Sequence, residues 1–281
     1  MEKFISEFET KVQKTIREYR LCSKKDRIAV ACSGGKDSTT VLYLLKKFGY
    51  NVFAIYINLR MGNYSENCLK ELKKFCKIYR IKLHIIDIRK TYGSSMCHIR
   101  SVVQEKQRLS NCTICGIMKR WLLNKKAREL KAAKLATGHN LDDEAETIIV
   151  NYLRGNVLLG INSGPVTGIV TDKKFVARIK PLYFCSAADI LKYANSIKFP
   201  FWHEKCPCAA GTYRLDVRKF LNSLNENEKI KENIVNKFVK LLPKLRSTFF
   251  RKQKKVVYCS VCGEPARNEV CNVCGLLKIK V

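Results

Sequence analysis

The chain is poor in acidic residues. Asp and Glu together number 24 against 54 Lys and Arg, which gives a formal net charge of +30 over 281 residues. So large an excess of positive charge attracts polyanions, and nucleic acid is the default partner of such a protein. The charge therefore favours a nucleic-acid-binding protein over a chain whose lysines are merely solvated.

Long apolar runs are also missing. None approaches the roughly 20 residues that a membrane-spanning helix needs, and the charged segment at residues 1–19 lacks the pattern of a signal peptide. We therefore expect a cytosolic (cytoplasmic) protein with no membrane partner. The apolar fraction of 46% is nonetheless ample for a core, which excludes global disorder.

Histidine is scarce, with 4 residues against 14 cysteines. In the cytosol, spaced cysteines favour metal ligation over a disulfide framework. The tail carries two C-x-x-C-G knuckles separated by eight residues, and four thiolates suit tetrahedral zinc. This pattern predicts a small zinc ribbon whose ligands are Cys259, Cys262, Cys271 and Cys274.

A Walker A loop is absent too, but another glycine turn stands between an apolar strand pattern at residues 27–32 and a helix pattern at 39–48. Its glycines let the backbone approach an anion, and the N–H groups at the helix start favour phosphate. The turn resembles the pyrophosphatase loop of ATP-dependent adenylating enzymes. The predicted phosphate-binding residues are Ser33, Gly34, Gly35, Lys36, Asp37 and Ser38.

Strand and helix patterns alternate along the first half of the chain. This alternation predicts an α/β fold with a doubly wound, mostly parallel sheet that binds its nucleotide at the carboxyl ends of the strands. The predicted strands are 27–32, 51–59, 82–88 and 134–137, and the predicted helices are 39–48, 66–79, 118–130 and 141–153. Residues 161–168 have a loop-like pattern.

The chain divides into four predicted segments. We expect an amphipathic N-terminal helix at 1–25, a catalytic domain at 26–225, a basic helical or linker segment at 226–255 and the ribbon at 256–281. The apolar face of the N-terminal helix either covers the core or forms the interface of a homodimer.

A third C-x-x-C-G motif begins at Cys112 and has no partner pair nearby. Cys206 and Cys208 are the next candidate ligands, and spacing alone leaves zinc, an iron–sulfur cluster and a redox thiol pair open. The remaining cysteines lie in or near apolar stretches, where free cysteine is usually a small core residue. They are Cys22, Cys32, Cys68, Cys76, Cys97 and Cys185.

Several segments in this order resemble one family, the tRNA 2-thiouridine synthetases of the TtuA type, which have a PP-loop ATP pyrophosphatase fold. The resemblance runs from about residue 27 to the C-terminus. It rests on the glycine loop, on residues 112–120, 137–145, 180–183 and 204–207, and on the double knuckle. It implies a tRNA sulfurtransferase that adenylates a tRNA uridine with ATP and Mg²⁺ and replaces O2 by sulfur, at uridine 54 of the T-loop.

The resemblance also implies cofactors and partners. A 4Fe–4S cluster would be held by Cys112, Cys115 and Cys206, with Cys208 as the alternative third ligand. Sulfur would come from a ubiquitin-like carrier protein with a C-terminal thiocarboxylate, or from inorganic sulfide. It would travel on the open iron of the cluster or as a cysteine persulfide.

The remaining site residues follow from their places along the chain. The backbones of Ala31 and Ile57 would contact the adenosine, and Gly138 would let the backbone approach the nucleotide. Lys119 would neutralise phosphate or polarise the uracil. Asp143 would bind metal or move a proton, although acidic residues there also suit the first turn of a helix.

One departure from the family pattern affects how tRNA is bound. Family members commonly begin with another zinc knuckle pair, whereas residues 1–26 contain a single cysteine and no histidine. Thiolation of the wobble uridine 34 therefore stays open. Two other classes also stay open, namely another adenylating enzyme of the lysidine or GMP synthetase kind, and a zinc-ribbon RNA-binding module without catalysis.

Overall fold

A computed structural model describes residues 1–167, 172–204, 206–208, 212–249 and 256–277, with only the backbone at 157 and 158. The strands are β1 (Arg27–Cys32), β2 (Asn51–Asn58), β3 (Leu83–Asp87), β4 (Lys134–Ala136), β5 (Val166–Thr167), β6 (Ala177–Ile179), β7 (Val257–Tyr258) and β8 (Pro265–Ala266). The helices are α1 (Glu2–Glu18), α2 (Lys36–Lys47), α3 (Asn63–Ile78), α4 (Ile88–Tyr92), α5 (Met96–Gln104), α6 (Asn111–Glu129), α7 (Leu141–Leu153), α8 (Val157–Ile161), α9 (Ala187–Ile197), α10 (Tyr213–Ser223), α11 (Asn227–Phe249) and α12 (Asn272–Leu277).

The six-stranded sheet confirms the predicted fold class. Its order is β3-β2-β1-β4-β6-β5, and every pair is parallel except β5 with β6. The chain winds outward from β1 to β3 and then returns to place β4 on the other side of β1. Because the strand order reverses there, a crevice opens at the carboxyl ends of β1 and β4, where α/β proteins bind ligands.

The helix that carries the C-x-x-C motif of residues 112–115 begins earlier than predicted. The sequence pattern placed its start at 118, but α6 begins at Asn111, where the Ser110 hydroxyl accepts a hydrogen bond from the Thr113 N–H at 3.3 Å. A capped start lets the helix continue through Gly116, since a helical glycine costs only about 1 kcal/mol. Cys112 and Cys115 therefore lie on one helix, one turn apart.

Other boundaries also differ from the sequence expectations. α4 and α5 follow β3 without having been predicted, and α8 and β5 occupy part of the segment expected to be a loop. α1 ends at Glu18 rather than at 25. α11 fills 227–249 of the predicted basic segment, and residues 250–255 lie outside the described part of the chain.

The N-terminal helix packs on the core of its own chain. Phe8, Val12 and Ile16 are buried, and the Phe8 ring stacks on Tyr193 of α9 with centroids 4.5 Å apart. The apolar face of α1 thus covers the core of its own chain, which is the first of the two roles predicted for it. A homodimer stays a prediction. None of the described helices is long and apolar enough to cross a bilayer.

The C-terminal module is fastened to α6. The β7–β8 hairpin and α12 bring Trp121 and Ile117 of α6 against the cysteines of the tail. Arg128 of α6 forms an ion pair with the buried Glu264, and Lys174 donates to the carbonyl of Gly263. The helix that carries Cys112 and Cys115 is therefore also the platform for the tail.

Candidate active site

The predicted phosphate loop connects β1 to α2 and is internally bonded. The Ser38 hydroxyl accepts from the Ser33 N–H at 3.1 Å and lies 3.2 Å from the Gly35 carbonyl, to which it donates. Gly34 has φ +87°, and a Cβ there would lie 2.7 Å from the carbonyl oxygen of Cys68. The loop therefore requires glycine, and it presents the first N–H groups of α2, which have no intrahelical partner, to the crevice.

The turn after β4 closes on the loop from the other side. A Cβ on Gly138 would lie 2.7 Å from the Ser38 nitrogen and 2.8 Å from the Asp37 carbonyl carbon. The sequence suggested that this glycine makes room for the nucleotide. In the structure the room is taken by the backbone of the loop itself, and a contact of Gly138 with nucleotide stays a prediction.

Neighbouring acidic residues at the start of α7 have different surroundings. Asn140 caps the helix in a capping box with Asp143, and its side-chain amide donates to Asp37 Oδ1 at 3.0 Å. Asp142 instead accepts from the Ala187 N–H and from Lys231 Nζ, both at 2.7 Å. Asp142 thus ties helices together, while Asp143 stands beside the carboxylate of the loop.

The Asp143 carboxyl holds its proton unusually well. Burial raises its pKa to about 6, Arg214 opposes the rise, and the negative charges of Glu146 and Asp37 add to it. A cation between Asp37 and Asp143 would relieve this repulsion. Two carboxylates beside a phosphate loop are the donors that Mg²⁺ accepts, so the residues present fit that ion.

His139 is neutral at physiological pH. Its ring Nδ1 lies 2.9 Å from the Thr137 hydroxyl oxygen. Burial, with the positive charges of Lys180 and Arg214, lowers its pKa to about 3. Solvent nevertheless reaches the ring, so it lines a cleft rather than the core. A histidine in this state does not supply a proton at neutral pH.

A backbone contact brings the third candidate cluster ligand to the loop. The Trp202 N–H donates to the Gly34 carbonyl at 2.8 Å, and Gly35 and Trp202 form a short parallel bridge. The chain then continues to Cys206, which packs with the core cluster that contains Cys115. Burial raises the pKa of Cys206 and the Cys115 charge adds to this, while Lys119 lowers it. Nothing in the sequence pattern predicts the backbone pairing of Trp202 with Gly34.

Cys208 packs against the same core cluster as Cys206 but has a further contact, with a buried arginine. The buried Arg100 guanidinium donates to Cys208 Sγ and to Cys97 Sγ, each at 3.1 Å. Cys97 is exposed at the start of α5, so its expected place in the core is wrong. Of the other cysteines expected there, Cys22 is half-buried and four are buried, namely Cys32, Cys68, Cys76 and Cys185.

The cysteines of the two candidate metal centres are spaced differently. The ligand atoms of Cys259, Cys262, Cys271 and Cys274 all lie within 4.8 Å of one another, the size of a single tetrahedral ion, and no other described residues form so tight a group. Cys112 and Cys115 lie one turn apart on α6, and Cys206 packs on the core cluster that contains Cys115. Thiolates are the ligands of iron–sulfur clusters, and the assignment of these three cysteines to such a cluster stays a prediction.

Comparison with known proteins decides the family. Residues 5–223 match the model of a PP-loop domain. A tRNA-5-methyluridine(54) 2-sulfurtransferase of Pyrococcus horikoshii is 35% identical over 280 residues, which are 99% of this chain and 87% of that protein. The chain belongs to the PP-loop family of tRNA 2-thiolation enzymes.

Further relatives extend the family to other target positions. The cytoplasmic tRNA 2-thiolation protein 1 of Drosophila willistoni is 32% identical over 282 residues, 98% of this chain and 80% of that protein. The solved U34-tRNA thiolase NcsA of Methanococcus maripaludis, with its [4Fe-4S] cluster, superposes with a TM-score of 0.78 at 28% identity. The match covers 98% of this chain and 87% of that one.

Several of the predicted site residues lie at the carboxyl edge of the sheet. Ala31 and Ile57 lie near the carboxyl ends of the adjacent strands β1 and β2, and the loop follows β1 directly. Lys119 follows Cys115 by one turn of α6. The cysteines of the C-terminal tail instead pack on α6 around Trp121. The PP-loop fold thus accounts for ATP binding, and the tail forms a second, distinct thiol site.

Proposed function

We propose that the chain adenylates uridine 54 of the tRNA T-loop with ATP and replaces its O2 by sulfur. The observation that carries this proposal is the backbone pairing of Trp202 with the loop, since it brings the candidate cluster cysteine Cys206 beside the phosphate site. The 35% identity to an enzyme named for uridine 54 supports the position.

Wobble uridine 34 is the second candidate. The similarity to a U34-tRNA thiolase over 98% of this chain favours it. The helix α1, which stands where the family commonly has a zinc knuckle, also leaves the tRNA-binding surface different from the family pattern.

Uracil O2 is a poor leaving group, and its adenylation converts it into part of AMP, which is a good one. Uracil O2 attacks the α-phosphorus of ATP, and pyrophosphate departs with the electron pair of the broken P–O bond. A sulfur nucleophile then adds at C2, and O2 leaves with AMP. The N–H groups of α2 and the Lys36 ammonium stabilise the departing pyrophosphate, and Asp37 and Asp143 would hold a Mg²⁺ that would supply further positive charge to the phosphates.

The other side chains position the two substrates. The main chains at Ala31 and Ile57 contact the adenosine, and Lys119 neutralises the charge that develops at the α-phosphate or on O2. Cys112, Cys115 and Cys206 would hold a 4Fe–4S cluster, which would supply a binding position for sulfur. The packing of Cys206 on the core cluster that contains Cys115 supports this role.

The tail and the partners complete the proposal. Four close thiolates support a structural Zn²⁺ at Cys259, Cys262, Cys271 and Cys274, and a module this small gains folding free energy from its metal. The sulfur donor is a thiocarboxylated ubiquitin-like protein or inorganic sulfide, and the enzyme works in the cytosol.

The target position is tested by mapping 2-thiouridine in tRNA. Nucleosides and nuclease fragments from a deletion strain are analysed by mass spectrometry. The same analysis is repeated after complementation with the wild-type gene and with an Asp143→Asn variant. We expect 2-thiouridine at position 54 to vanish on deletion and to return with the wild-type gene alone. Loss at position 34 with position 54 unchanged would transfer the assignment to the wobble uridine.

Adenylation is expected to increase as the pH rises through about 6. Because burial raises the pKa of Asp143 to about 6, its carboxyl is ionised and able to hold Mg²⁺ only above that pH. Pyrophosphate release with saturating tRNA and limiting Mg²⁺, measured from pH 5 to 8, should show this rise, because the pKa of about 6 belongs to the metal-free carboxyl. Asp143→Asn should remove both the rise and most of the activity.

His139→Asn is the matched control for this pH profile. The His139 pKa of about 3 leaves the ring neutral throughout the measured range, so this variant should keep the rise. If the rise in pyrophosphate release with pH disappeared in His139→Asn but persisted in Asp143→Asn, the titrating group would be the histidine.

A further inference from the structure

Two arginines face each other across the cleft beside the candidate site. An Arg178 Nη atom donates to the Arg120 carbonyl at 3.5 Å, which holds β6 against α6. The Arg120 guanidinium folds back over Gly116, the residue after Cys115, and its Nη1 lies 3.1 Å from where a Cβ on that glycine would be. Both guanidinium groups therefore lie between β6 and the start of α6.

These two charges lack the partners that their neighbours have. Lys180 pairs with Glu144 at 2.7 Å, and Arg214 pairs with Asp143 at 3.2 Å. Among the described residues, no carboxylate forms an ion pair with Arg120 or Arg178, and burial lowers the pKa of both. The positive charge of Arg120 further lowers the pKa of Arg178, to about 10. Arg178 is half-buried and Arg120 is exposed, and a bound anion would relieve the repulsion between these two like charges.

The sheet order separates this pair from the expected place of ATP. Adenosine is expected over β2 and β1, and the phosphate loop follows β1. Arg178 lies on β6, on the far side of β4. Two strand spacings put β6 about 10 Å from β1. Arg178 thus lies on the side of the loop opposite the expected place of the adenosine, and Arg120 of α6 is in contact with it there.

We propose that Arg120 and Arg178 bind a backbone phosphate of the tRNA at the target uridine. The proposal rests on the proposed function, because it takes tRNA as the second substrate. Two guanidinium forks match the oxygens of a phosphodiester, and they would hold the nucleotide while its base lies beside the loop and Lys119. The same chemistry would also suit a phosphate of ATP, and the experiment distinguishes the two sources.

Binding measurements on full-length protein carry the test. Unmodified tRNA and a nonhydrolysable ATP analogue are titrated separately into wild type, Arg120→Gln, Arg178→Gln and Arg178→Lys at several salt concentrations. Arg17→Gln is the matched control. Arg17 is exposed and lies with Tyr50 and Lys134 at the amino ends of the strands, the opposite edge of the sheet.

We expect each Gln variant to weaken tRNA binding about 10- to 100-fold and to reduce the salt slope by about 1. ATP-analogue binding should be unchanged in both. Arg178→Lys should restore only part of the affinity, since it keeps the charge but loses the fork. Arg17→Gln should match wild type.

A modified substrate then identifies the phosphate. A ligated tRNA with one uncharged methylphosphonate linkage beside the target uridine should bind wild type as weakly as normal tRNA binds Arg178→Gln. Combining the two changes should cost little more than either alone. Additive losses, or a loss of ATP affinity in place of tRNA affinity, would overturn the proposal. Wild type that binds no tRNA would instead overturn the proposed function.

Discussion

Cys206→Ser is expected to leave the protein without an iron–sulfur cluster and to abolish thiolation, while ATP binding persists. The segment that carries Cys206 is held on the loop by Trp202, and Cys206 packs on the core cluster that contains Cys115. A hydroxyl is a poor ligand for a cluster that selects soft thiolates. Thiolation should fall at least about 100-fold, because even the outer partners of metal ligands are worth 10- to 100-fold.

Cys208→Ser is the matched control for this substitution. Arg100 already binds the Cys208 sulfur at 3.1 Å and directs it toward Cys97. After anaerobic reconstitution, this variant should keep wild-type iron and sulfide contents and the broad absorbance near about 400 nm. If Cys208→Ser lost the iron and Cys206→Ser kept it, Cys208 would be the third ligand.

The local part of this site follows from the sequence. β1 was predicted with its observed bounds because the five apolar or small residues from Ile28 to Cys32 precede a glycine turn. The loop and the start of α7 are also local, since Asn140 caps the helix within four residues of Asp143. Patterns of this kind depend on neighbours along the chain, so periodicity and turn residues suffice to predict them.

The long-range part does not follow from periodicity. The pairing of Trp202 with Gly34 joins residues 168 positions apart through backbone atoms that every residue has. The different surroundings of Asp142 and Asp143 depend on Lys231 of α11, whose ammonium group contacts only Asp142. The pairing of Arg120 with Arg178 needs β6 beside β4, a neighbourhood that the sheet order alone provides.

Gly138→Ala is expected to weaken ATP binding about 10- to 100-fold, although the change adds a single methyl group. The added Cβ would lie 2.7 Å from the Ser38 nitrogen and 3.0 Å from its Cα. Both are backbone atoms, so no side-chain rotation relieves the clash and the loop itself has to move. Overpacking of this kind costs about 1–3 kcal/mol. The displaced atoms belong to the helix start that would bind pyrophosphate, so the loss should appear in nucleotide affinity.

Calorimetric titration of ATP separates this local effect from general destabilisation. Gly275→Ala is the control, because a Cβ at that helical position in the tail meets nothing within 4 Å. It should bind ATP as wild type does. Gly138→Ala should still bind tRNA, since the arginine pair is held by α6 and β6. Wild-type ATP affinity in Gly138→Ala would mean that the loop adjusts without moving its N–H groups. The contact between the β4 turn and the loop would then have no part in nucleotide binding.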